Sequence, residues 1–222
     1  MLTDLSPSDN HLRATGLACR RGERRLFKGV AFDAPAGTLV RVTGRNGSGK
    51  TSLLRILVGL STPDAGAVFW QGRPVLADRL AWSSQVLYLG HASALKDDLD
   101  AAENLEFACR LAAEPIRAEA LALALARLGV AHRAGVPARF LSQGQRRRVA
   151  LARLALTSRP VWVLDEPVVG LDMAAMAEVE QIIGAHLAHG GIVVLTTHQA
   201  LDVAAPRPMV VDLDAVSLEA VA

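Results

Sequence analysis

The sequence predicts an α/β fold: a mostly parallel core sheet, an antiparallel β portion at the N-terminal end and an inserted α-helical subdomain. Three observations carry this expectation. The continuous apolar runs at Val161–Asp165 and 192–197 have the character of parallel strands buried on both faces. Residues 12–20, 25–33 and 38–43 read as strands joined by short turns. Residues 98–150 change character, becoming rich in Ala, Leu and Arg, and read as helices throughout.

Taken in order, residues 1–11 read as a flexible tail and 12–222 as one domain. Its core comprises 12–90 and 151–222, and its helical subdomain 91–150. Pro35 and Gly37 mark a turn. Residues 51–59 read as a helix with Leu53, Leu54, Leu57 and Val58 as its apolar positions, stopped by Gly59 with Pro63 beyond. Residues 68–71 and 73–75 suggest a short hairpin, and 85–89 another strand. Asp100 with Glu103 resembles a capping box opening the first inserted helix. Residues 174–189 read as a crossover helix, and Val210 with Val211 as a last short strand.

Composition narrows the function. A chain of 222 residues can bury a full core. Its 24 basic and 22 acidic side chains leave a net charge of +2, which argues against a nucleic-acid partner. Among the basic side chains only Lys28, Lys50 and Lys96 are lysines, so each retained lysine merits inspection. Cys19 and Cys109 lie far apart, form no CxxC, and read as reduced, buried and inert, as in a cytosolic protein. The first residues carry no basic region followed by an apolar one, so they are no secretory signal. No apolar run approaches the ~20 residues of a membrane span. The longest candidate, 118–131, is broken by Glu119 and Arg127, so a role at a membrane is expected to be peripheral.

Gly44, Arg45, Asn46, Gly47, Ser48, Gly49, Lys50 and Thr51 fit G-x-x-x-x-G-K-[ST], after an apolar strand and before a helix. The glycines let backbone N–H groups point at phosphate oxygens, and the helix N-terminus adds its positive dipole end. Lys50 supplies a movable charge for the β- and γ-phosphates, the Thr51 hydroxyl can ligate Mg²⁺, and Ser52 belongs to the same nucleotide-binding set. These residues predict a nucleoside-triphosphate site with Mg²⁺.

Asp165 and Glu166 end an apolar strand that has no structural use for two carboxylates. Beside the phosphate loop, Asp165 can hold Mg²⁺ through water and Glu166 can polarise an attacking water. His198 follows a similar strand, and ligands in doubly wound sheets sit at the carboxyl ends of strands. Lys50, Glu166 and His198 are therefore expected to share one edge, with His198 near a γ-phosphate oxygen; taken alone, such a histidine reads as a polar turn residue.

Leu141, Ser142, Gln143, Gly144 and Gln145 precede a helix carrying Arg146, Arg147 and Arg148. With the phosphate loop, Asp165–Glu166–Pro167, Asp172 and His198 in this order, residues 12–213 resemble the ATP-binding-cassette family. The Leu-Ser-x-Gly-Gln stretch discriminates it from other P-loop NTPases. The resemblance implies a P-loop NTPase fold of the cassette nucleotide-binding type and a head-to-tail homodimer. In that dimer Ser142, Gly144 and Gln145 of one subunit cap the ATP held by Lys50 of the other, and Asp172 lies near the seam. At least one of the three arginines is expected to form only a solvated helix face.

Three positions depart from the family pattern. Arg21 stands where an adenine-stacking aromatic is usual; its guanidinium can stack on adenine, or it is a surface arginine. Gln143 replaces a glycine of the dimer motif. His91 occupies the place of a metal-contacting, water-orienting glutamine, and it is assigned that role as a catalytic residue. The segments at Leu89–Gly90–His91, Phe69–Trp70–Gln71–Gly72 and Ala102–Glu103–Asn104–Leu105 are similar to the haem-exporter ATPases of cytochrome c maturation. That resemblance implies integral membrane permease subunits as partners and a peripheral place on the cytoplasmic face of the bacterial inner membrane. It implies no haem site on this chain. The alternatives are a cassette serving another exporter or importer, and a soluble cassette with no permease. The short spacing from Lys50 to Ser142 leaves no room for the long coiled coil some soluble cassettes carry.

Overall fold

The computed structural model describes residues 10–114 and 116–215. The first half of the chain runs β1 (His11–Arg21), β2 (Arg24–Pro35), β3 (Thr38–Thr43), α1 (Lys50–Leu57), β4 (Ala65–Trp70), β5 (Arg73–Pro74), α2 (Arg79–Gln85) and β6 (Val86–Leu89). The second half runs α3 (Ala101–Leu111), α4 (Ala118–Arg127), α5 (Gln143–Ala152), β7 (Val161–Asp165), α6 (Met173–Ala188), β8 (Ile192–Thr196) and β9 (Arg207–Asp212).

Two sheets result. One is antiparallel, with order β2-β1-β4-β5; the other has order β6-β7-β8-β3-β9, and every neighbouring pair in it is parallel. The parallel sheet separates two cores, and the alternation of strand side chains decides which residue enters which. Val40, Val42, Val161, Val163 and Val194 face α1 and the antiparallel sheet. Leu39, Leu87, Trp162, Leu164 and Leu195 face the helices of the 98–150 region and α6. Both faces are thus covered, which is why β7 and β8 read as unbroken apolar runs: all five residues of each are buried.

Local signals set the helix ends. The Asp100–Glu103 capping box forms, with Asp100 accepting from the Glu103 N–H and Glu103 from the Asp100 N–H. Buried Asn104 closes the preceding loop: its amide donates to the carbonyls of Lys96, Leu99 and Asp100, and its oxygen accepts from the Lys96 N–H.

Several expectations need correction. Residues 1–9 of the expected tail lie outside the described residues, but His11 already belongs to β1, and Asn10 Nδ2 donates to the Gly190 carbonyl. The short helix α2 was not anticipated; only Trp82 in it is buried, too little to show a period, and its indole N–H donates to the Leu57 carbonyl. The last strand spans six residues rather than two, because parallel pairing with β3 extends it through the exposed Arg207 and Pro208. Cys109 is buried, but Cys19 is only half-buried, near the end of β1. The three arginines of α5 are not a solvated face. Arg146 pairs with Asp97, Arg148 with Asp172, and Arg147 is 5% exposed.

The His186 ring, near the end of α6, stacks flat on Trp162 of β7 with centroids 3.7 Å apart, and burial pulls its pKa down to about 4. The free imidazole titrates near 6.5, so protonation favours the unfolded chain. Its contribution is complete above pH ~6.5 and is lost as pH falls towards 4, up to about 3 kcal/mol. Thermal melts from pH 7 to 4 should therefore show falling stability, with a shallower slope in His186→Leu; parallel slopes would contradict this origin.

Candidate functional site

The segment between β3 and α1 turns the chain through glycines. Gly49 is the α1 N-cap at φ 105°, and a Cβ there would lie 3.0 Å from both Leu26 Cβ and Phe27 Cδ1. Both its backbone conformation and its contact with β2 require glycine. No side chain caps α1 and no acid sits in its first turn, so its N–H groups and positive dipole end remain available to an anion. Lys50 Nζ donates to the carbonyls of Gly44 (2.7 Å) and Arg45 (3.3 Å), which hold the ammonium over the same loop.

The C-terminal ends of β7 and β8 meet this loop. Buried Asp165 accepts from Thr51 Oγ1 on one oxygen and from Thr196 Oγ1 on the other, each at 2.8 Å. Glu166 has left-handed backbone at φ 49°, a strained conformation for a side-chain-bearing residue that costs roughly 1–3 kcal/mol. Its N–H donates to Thr196 Oγ1 at 3.0 Å. Its Oε2 accepts from the His198 N–H at 3.2 Å, and His198 Nε2 stands 3.5 Å from Oε1. Oε1 is buried and accepts no hydrogen bond, so it is free to take a proton donor from a ligand.

A cleft of about 450 Å³ joins these groups. Asn46, Gly47, Gly49, Lys50, Thr51 and Ser52 line one part of it, and Asp165, Glu166, His91 and His198 another. Arg21 and Leu26 reach it from the antiparallel sheet. Gly44, Arg45 and Ser48 belong to the loop but do not line the cleft. Arg45 is turned to Asp214, which takes its backbone N–H at 2.8 Å and lies 3.5 Å from its Nε. Ser48 Oγ is buried without a partner.

Ser142, Gly144 and Gln145 lie apart from this cleft, at the start of α5. Ser142 accepts from the Gln145 N–H, and the Gln145 side chain accepts from the Ser142 N–H. A Cβ at Gly144 would sit 3.0 Å from the Gly170 carbonyl, so glycine lets α5 approach the loop after β7. That loop ends at Asp172, the N-cap of α6; the Ala175 N–H and Arg148 hold its carboxyl below the usual range.

Sequence reasoning overlooked three contributors. Thr196 reads as one more residue of an apolar run, yet its hydroxyl joins Asp165 to Glu166. Arg24 faces Arg21 across the β1–β2 pair, and its guanidinium lies about 4 Å from where a Gly47 Cβ would be; a cross-strand pair of like charges was the available signal. Arg147 was hidden within an arginine run.

Among the described residues, no group of three or more His, Cys, Asp or Glu could hold a metal by itself. Thr51 and Asp165 nevertheless present adjacent hard oxygen donors. They fit Mg²⁺, which takes one or two protein ligands and completes its shell with waters and phosphate oxygens.

The ABC transporter family model matches residues 27–169. The chain is 50% identical over 207 residues to the cytochrome c biogenesis ATP-binding export protein CcmA of Aromatoleum aromaticum, covering 93% of this chain and 96% of that protein. It is 49% identical to the protein of the same name from Nitrosomonas europaea, covering 90% and 94%. In fold it is similar to an ABC transporter ATP-binding protein of Pyrococcus furiosus (TM-score 0.80, 23% identity, 93% and 99% covered). It is also similar to a dimeric post-hydrolysis ATP-binding cassette bound to ADP and Pi (TM-score 0.75, 22% identity, 85% and 88% covered).

Gly49→Ala should cost about 1–3 kcal/mol through strain at positive φ and crowding against Leu26 and Phe27. It should also weaken ATP binding by at least tenfold. Calorimetric titration together with a thermal melt checks both, and undiminished affinity would show that the loop tolerates a side chain there.

Proposed function

The chain belongs to the ABC transporter ATPases, among their cytochrome c biogenesis ATP-binding export proteins, and from that premise we propose that it hydrolyses Mg·ATP in a head-to-tail homodimer to drive membrane subunits of cytochrome c maturation. The carrying observation is the convergence of Lys50, Thr51, Asp165, Glu166 and His198 on one cleft.

The uncapped α1 N-terminus and the Lys50 ammonium hold the triphosphate, and Arg21 flanks the base. Thr51 and Asp165 would hold Mg²⁺, which would supply positive charge to offset that of the phosphates. The Glu166 carboxylate accepts a hydrogen bond from the attacking water and aligns it with the γ-phosphate. His198 steadies Glu166 through its backbone N–H and offers its ring to a γ-phosphate oxygen. His91 adds a second polar group towards the attacking water. Ser142, Gly144 and Gln145, remote from their own cleft, cap the partner's nucleotide with the N-terminus of α5.

A second groove of about 380 Å³ runs between the loop after β6 and α3, lined by Tyr88, Gly90, Leu95, Phe107, Leu111 and Arg153 among others. Phe107 and Leu111 are exposed there, 43% and 79%. Unsatisfied apolar surface beside His91's own loop supports docking of a permease segment whose position is felt at the site. No helix among the described residues is long and apolar enough to cross a membrane. The place proposed from the family is peripheral, on the cytoplasmic face of the inner membrane, with the membrane subunits selecting the haem-related cargo.

Glu166→Gln should bind ATP but turn over about 10²–10⁴-fold more slowly, accumulating a dimer on size exclusion with saturating Mg·ATP. A variant that stays monomeric under those conditions counts against the head-to-tail arrangement. His91→Ala should lower turnover in the assembled complex about tenfold with ATP affinity within about twofold; an unchanged rate would remove His91 from the mechanism.

A further inference from the structure

Arg147 projects from α5 into the space between the ends of β6 and β7, and it is the only buried arginine among the described residues, 5% exposed. It forms no ion pair within 4.0 Å among the described residues; its partners are backbone carbonyls. Nε donates to Pro167 at 3.0 Å. Nη1 donates to Gly90 at 2.8 Å and towards His91 at 3.5 Å. Nη2 donates to Asp165 at 2.9 Å and Glu166 at 2.8 Å. Five carbonyls thus face the five N–H groups of one planar fork. A lysine has three donors and a glutamine amide two, so neither can serve this array.

The carbonyls belong to two loops with chemical work. One carries Glu166, whose left-handed backbone is gripped at its N–H by Thr196 and at its carbonyl by Arg147. The other carries His91, which lines the nucleotide cleft. The stem of Arg147 lies on the helix that Ser142 begins, and Arg147 also lines the groove beside α3.

We propose that Arg147 is the positioning residue of this site. Its guanidinium sets the Glu166 carboxylate and ties it to the 90–91 loop and to α5, so that these parts shift together when the groove is occupied. The proposal rests on the ATPase reading above and goes beyond it, because Arg147 does not line the nucleotide cleft.

The test compares Arg147→Lys and Arg147→Gln with the wild type, measuring ATP stoichiometry and affinity on the chain, and kcat and KM on the complex with its membrane subunits. Stoichiometry, affinity and KM should stay within about twofold. The kcat per bound nucleotide should fall about tenfold in the lysine variant and about a hundredfold in the glutamine variant, the scale of a roughly 1 Å misplacement. A kcat within about twofold of wild type in both, or affinity lost in step with turnover, overturns the proposal. If neither variant folds, hydrogen exchange on the wild-type chain decides. Addition of ATP should change protection of 90–92 and 166–170 together, and independent changes overturn it. A wild-type chain that binds no nucleotide removes the ATPase reading, and this proposal with it.

Discussion

The site depends on one buried carboxylate shared by two hydroxyls. Asp165 sits at the carboxyl end of β7, an interior strand of a sheet covered on both faces, where a charge is costly unless its oxygens are satisfied. Thr51 of α1 and Thr196 of β8 satisfy them. Removing either hydroxyl would leave one oxygen of this buried carboxylate without its partner, so the position of α1 relative to the sheet is tied to the position of Asp165. The phosphate loop, whose first helical turn carries Thr51, inherits that placement. A residue suited to metal binding is thereby also the fastener that aligns the two halves of the cleft.

Around that fastener the polar groups are divided between structure and chemistry. Thr196, Arg147 and the Asp172 cap have their bonding capacity engaged within the protein. Lys50, Glu166 and His198 are only partly engaged: the ammonium rests on two carbonyls, and one carboxylate oxygen accepts no hydrogen bond. Partial satisfaction keeps these groups available to a ligand while fixed neighbours hold their positions. The backbone strain at Glu166 belongs to the same division, since hydrogen bonds on both sides of that residue maintain a conformation its own side chain disfavours.

Much of this was legible in the residue pattern because it rests on local rules. Glycine at 44, 47 and 49 before a lysine and a threonine, acids at the end of an apolar run, and Asp100 three residues before Glu103 each specify their neighbourhood through backbone geometry within a few positions. The helix α2 was not legible, having a single buried residue, and the length of β9 follows from pairing with a strand more than 160 positions earlier rather than from its own composition. Arg147 was the least legible of all. Between Arg146 and Arg148 its chemistry is identical to theirs, and only the direction in which α5 points it makes it an interior group.

The sequence by itself determined the phosphate loop, the carboxylate pair, the capping residues and the unbroken apolar runs that mark a parallel sheet, because each is written in residues adjacent along the chain. Tertiary structure alone decided which β-strand ends meet, that Thr196 bridges Asp165 and Glu166, that Gly144 lets α5 close on Gly170, and which of three consecutive arginines is buried. Those outcomes depend on distances between segments tens of residues apart, set by packing and hydrogen-bond satisfaction across the whole fold.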